Sequence, residues 1–131
     1  MSSSPAFAVT PRIGFGAIST ANTNRDGTGT IVDIITGAAG GTKIVEVVLQ
    51  STSDPADCVY VLYLHDGTGY RDFYEVDPGN PAAGSTTTIA DRQRVLFDNL
   101  VLPSASWKLA ASITVAPTAG VVNIFALGAD L

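Results

Sequence analysis

Cysteine, histidine, methionine and tryptophan each occur once in this sequence of 131 residues. A single cysteine, Cys58, excludes an internal disulfide. With His65 it supplies too few soft or imidazole ligands for a zinc site. Glutamate stands only at Glu46 and Glu75, and no long window repeats at 3.6 residues, so extended amphipathic helices are not expected. Charged residues make up 15% of the chain, well below the roughly 25% of soluble domains. Basic groups are the scarcer sign, 7 against 12 acidic, for a net charge of −5. They are also scattered, with only Arg92 and Arg94 close together. Phosphate backbones and anionic lipid both want a basic stripe, so neither nucleic acid nor membrane is an expected partner.

What the chain has in quantity is apolar residues (46%), 13 glycines and 7 prolines, at a length suited to one domain. The opening residues carry neither the basic region nor the long apolar run of an export signal. The uncharged stretch 110–129 is interrupted by Pro117, Gly120 and Asn123, which reads as a turn between two strands rather than a membrane span. A lone thiol on an apolar segment fits synthesis in a reducing cytoplasm.

Period-two segments bounded by Gly, Pro, Asp and Asn recur along the chain. Strands are expected at 13–20, 30–36, 43–52, 58–64, 70–76, 105–115 and 121–127, with weaker ones at 86–89 and 93–97. Asp66-Gly67 supplies the positive φ of a tight hairpin between two of them. The spacing predicts an all-β fold: an antiparallel β-sandwich, jelly-roll-like, of about eight strands. An immunoglobulin-like sandwich is the second choice. Residues 1–12, rich in Ser and Pro, read as an extended N-terminal arm before a single domain over 13–131.

Candidate chemistry is sparse. His65 beside Asp66 is the one conventional base, but no Gly-X-Ser-X-Gly elbow accompanies it and Cys58 sits in an apolar setting. The plain reading is a strand-end ring that donates to a turn carbonyl or to Asp66. Calcium is conceivable at Asn24, Asp26 and Thr28 or around Asp54 and Asp57, yet the EF-hand spacing is absent. Asx turns account for those residues by backbone geometry alone. Gly14-Phe15-Gly16 lacks the rest of a nucleotide-binding fingerprint. No enzyme activity, cofactor or metal is therefore expected.

An antiparallel sheet usually keeps one face wet. Here several strands carry apolar or small residues on both faces, which predicts cover by like subunits. Candidate contacts are Val59, Val61 and Tyr63, together with Val122 and Ile124.

The stretches Thr10-Pro-Arg-Ile-Gly-Phe-Gly16 and Ser19-Thr-Ala-Asn-Thr-Asn-Arg-Asp-Gly-Thr-Gly29 resemble the opening of small structural proteins of tailed bacteriophages. Leu64-His-Asp-Gly-Thr68, Leu100-Val-Leu-Pro-Ser104 and the ending Ile124-Phe-Ala-Leu-Gly-Ala-Asp-Leu131 are similar to the same group. The resemblance implies a virion component, best matched by capsid decoration (cement) proteins: a homotrimer on the major capsid protein at the capsid surface, made in the host bacterial cytoplasm. It transfers no catalytic residue. In that role Arg12, at the end of the arm, is expected to meet an acidic patch. The alternative is a head-fibre or tail receptor-binding module that contacts host-surface glycans through the loops at 67–70 and 77–85.

Overall fold

The computed structural model describes residues 10–51, 58–78, 84–117 and 120–131. Among them run eight strands: β1 (Thr10–Ile18), β2 (Val32–Thr36), β3 (Thr42–Ser51), β4 (Tyr60–His65), β5 (Tyr70–Val76), β6 (Arg92–Leu102), β7 (Lys108–Ile113) and β8 (Val122–Asp130). They form two four-stranded sheets ordered β1-β8-β3-β6 and β2-β7-β4-β5, with every pairing antiparallel. The chain folds as nested pairs: β4 on β5, β3 on β6, β2 on β7 and β1 on β8. Every connection except β4–β5 crosses between the sheets. That is the double Greek key of a jelly roll.

Local chemistry places most strands where the sequence reading expects them, and β5 matches residue for residue. Its hairpin forms because Asp66 Oδ1 accepts from the amides of Thr68 (2.9 Å) and Gly69 (3.2 Å), while Gly67 takes φ 98°.

Three departures have visible causes. Strand β1 starts at Thr10, so residues 10–12 belong to the sheet; the rest of the expected arm, 1–9, lies outside the described residues. The segment 86–89 is not a strand, because the Ser85 hydroxyl accepts from the amides of Thr87 and Thr88 and bends the backbone. Strand β6 continues unbroken to Leu102, with an irregularity opposite Val45 absorbing the mismatch.

The core lies between the sheets. Ile44, Leu49 and Ile124 from the first sheet meet Leu62, Leu109 and Ile113 from the second, all fully buried. Alternation in β5 breaks at a bulge opposite Leu62 and Tyr63, so Phe73 and Val76 both turn toward this core despite their spacing of three. At the β1–β2 side the two sheets come unusually close. A β-carbon on Gly14 would stand 2.6 Å from Ile35 Cβ, and one on Gly16 would stand 2.8 Å from Ile34 Cδ1.

Candidate interaction surface

The outer faces of the two sheets differ in what covers them. Over the second sheet lies the chain's own β1–β2 connection. Its fold is organised by Asn22, a buried side chain whose Nδ2 donates to the carbonyls of Thr28 (2.9 Å) and Thr30 (3.0 Å). Asn22 Oδ1 accepts from the Asn24 amide at 3.0 Å. Gly29, at φ 88°, passes so near that a β-carbon would stand 2.5 Å from this Oδ1. The Tyr63 hydroxyl donates to Asn24 O at 2.9 Å, and the Asn22 amide donates to Ile113 O at 2.7 Å. Beneath the loop, Val61, Tyr63 and Ala110 form a second buried cluster on which Ile31, Val59 and Tyr70 pack.

This arrangement relocates the residues expected at an interface. Val61 and Tyr63 are 0% exposed under the loop, and Val122 and Ile124 lie in the main core. Their own chain encloses all four: the loop covers Val61 and Tyr63, and the facing sheet covers Val122 and Ile124. Val59 is half-buried and exchanges two hydrogen bonds with Thr114: its amide donates to Oγ1 at 2.8 Å, and its carbonyl accepts from the Thr114 amide at 3.1 Å. Arg12 is engaged within the chain. It donates to Asp130 Oδ1 (2.9 Å) and to Thr36 O (3.0 Å), and the Thr42 hydroxyl shares that carboxylate oxygen.

Nothing covers the outer face of the first sheet among the described residues. Antiparallel partners share a face, so the register defines two cross-strand rows. One reads Phe15, Phe125, Val48, Arg94; the next reads Ile13, Leu127, Glu46, Leu96. The end strands carry the greatest exposure: Phe15 72%, Leu96 67% and Ile13 66%. The Phe15 and Phe125 rings lie 6.3 Å apart. Arg94 Nε donates to Glu46 Oε1 at 2.6 Å, which holds the Glu46 carboxyl below its ordinary range. A solvent-facing apolar stripe across four strands is what marks an association surface.

The sequence reading missed these residues. Strand β1 alternates large side chains with Gly14 and Gly16, and the usual rule would turn the large ones inward. A signal was available in the glycines, since small residues in alternate positions also mark close backbone approach.

The second sheet carries three acidic groups, Asp33, Asp72 and Glu75. Asp33 accepts from the Tyr70 hydroxyl at 2.7 Å and from Lys108 Nζ at 3.2 Å. Arg25 donates to Glu75 at 2.9 Å and ties the covering loop to β5. Asp72 sits beside this pair. Burial, followed by the neighbouring Glu75, pushes its carboxyl up to about 6, while Arg25 pulls Glu75 down.

The remaining candidates do not assemble into a reactive site. His65 Nδ1 accepts from the Gly67 amide at 3.0 Å, the reverse of the expected donation, and its ring packs 4.4 Å from that of Tyr70. Asp26 accepts from the Thr28 amide at 3.1 Å in an Asx turn. Asp54 and Asp57 lie outside the described residues. Among the described residues no three His, Cys, Asp or Glu side chains gather as a metal site. No helix there is long and apolar enough to cross a membrane.

A scan against models of protein families and a search of curated proteins found no match. Among solved structures, the fold is similar to a chain of the "Cyanophage Pam1 capsid asymmetric unit", with TM-score 0.50 and 12% identity over 100% of this chain and 92% of that one. A further likeness, to the "Structure of infectious bursal disease virus Gt strain", has TM-score 0.34 and 14% identity over 98% of this chain and 35% of that one; nothing below rests on it. What is shared with the cyanophage capsid chain is the fold.

Proposed function

We propose that this chain is a virion structural protein of the decoration type, which trimerises and binds the outer face of the major capsid lattice to stabilise the head. The observation that carries this reading is the apolar face of the first sheet, which none of the described residues covers. The chain's own loop seals the other sheet, and the core is complete without a partner, yet this face is left with Ile13, Phe15 and Leu96 in water. A self-sufficient jelly roll with one sticky side is built to be an assembly part. The fold likeness to a phage capsid chain supports the same reading.

Stabilisation would come from mass action. A protein that binds the assembled lattice, and not its dissociated parts, lowers the free energy of the shell by its binding free energy. No bond is made or broken. The protein would be made in the bacterial cytoplasm and end on the capsid surface. Residues 1–9 serve in this reading as a further contact to the lattice, so deletion of residues 2–9 should lower capsid occupancy.

The deciding experiment is to add purified protein to heads assembled without it. Stoichiometric binding and a higher rupture temperature are expected. Heads that neither bind it nor gain stability would overturn the proposal.

A further inference from the structure

We propose that the Ile13–Phe15 edge of this outer face packs against the Arg94–Leu96 edge of the same face in a second copy of the chain. The inference rests on the self-association proposed above and adds the contact that makes it.

The two edges differ and fit each other. Strand β1 bounds the sheet on one side and turns uncharged side chains outward, Ile13 and the Phe15 ring. Strand β6 bounds it on the other side and turns out Arg92, Arg94 and Leu96. Set edge to edge between copies, Leu96 meets Ile13 and the Arg94 guanidinium meets the Phe15 ring, an apolar contact beside a cation–π contact. On this face the outward arginines stand on β6, where Glu46 of β3 holds Arg94 in place, and the β1 edge carries none. The β1 edge has no outward charge to repel an approaching Arg94. Because unlike edges meet, the contact is head-to-tail, and it closes into a ring where the rotation between copies allows.

The register supplies a clean test. Ile13 and Leu96 lie in one row at opposite ends of a four-stranded sheet. Three strand spacings, about 14 Å, separate them, beyond the ~7 Å that a disulfide can bridge. Any bond between cysteines at these positions therefore joins two chains. The Ile13→Cys/Leu96→Cys double variant would be oxidised and run without reductant, with each single variant as a control. The far-ultraviolet circular dichroism of the reduced double variant should match the wild type, since neither side chain belongs to the chain's own core.

A covalent ladder ending at three chains, with the single variants uncross-linked, is expected. A ladder ending at two would support the contact and overturn the trimer. No cross-link from a wild type that still sediments as an oligomer would overturn the contact alone. A dimer from either single variant would place like edges together and overturn it as well. A wild type that is monomeric at micromolar concentration yet still binds heads would overturn the contact and spare the structural role.

Discussion

Gly14 lies so close to Ile34 that a β-carbon on it would stand 2.3 Å from the Ile34 carbonyl oxygen. This contact decides which way β1 faces. With its inner positions filled by backbone from β2, the strand can place Ile13 and Phe15 only on the outside.

Gly14→Ala should consequently be costly, although alanine is otherwise tolerated in strands. The backbone of β2 must move to admit the methyl group, and overpacking of this kind costs about 1–3 kcal/mol. A lower urea midpoint with an unchanged m-value is the expected result.

Asn22→Ala tests the loop that seals the second sheet. The substitution strands the Asn24 amide and the Thr28 and Thr30 carbonyls that Asn22 now serves. Asn24, Thr28 and Thr30 are exposed and their freed groups can turn to water, so the loss should be about 1–2 kcal/mol, that of the bonds themselves. Amide exchange should quicken across residues 22–31 and at Tyr63 beneath them, while β3 and β8 keep their protection.

Asp72 gives the protein a pH dependence of definite sign. Its folded carboxyl titrates near 6, above the 3.8 of the ordinary side chain, because burial and Glu75 disfavour the charge. The folded state thus holds this proton more tightly than the unfolded chain. The resulting stability is complete below about pH 4 and is lost as pH rises through 6. Asp72→Asn should flatten that part of the profile and raise stability at pH 7, by less than about 1 kcal/mol at so wet a site. Urea midpoints taken from pH 4 to 7 for both proteins would show it. The opposite slope, with the wild type gaining stability through that range relative to Asp72→Asn, would refute the assignment.

Arg12→Ala removes an ion pair to Asp130 and a bond to Thr36 O at one end of the sandwich. The pair is partly exposed, so the loss should stay near 1 kcal/mol and shrink in high salt. A thermal melt at two ionic strengths measures both.

Much of the fold was legible because its signals are local. The Asp66-Gly67 turn closes through contacts within three residues, and β5 follows from it without error. The alternation of Val122 and Ile124 against Asn123, Phe125 and Leu127 likewise marks β8 as a strand, though not which of its sides faces the core. What encloses the expected contact residues was not legible, for a related reason. Val61 and Tyr63 do lie on an outward face, but alternation cannot say that Asn24 and Ile31 arrive from the β1–β2 loop to cover it.

Sequence alone determined that this protein is a sandwich of short antiparallel strands, since period-two patterning and turn chemistry act between neighbours in the chain. Only the tertiary structure decided which apolar face stays in water. That choice depends on Gly14 meeting Ile34 and on Asn22 drawing a loop across the other sheet, and both are contacts between segments distant along the chain.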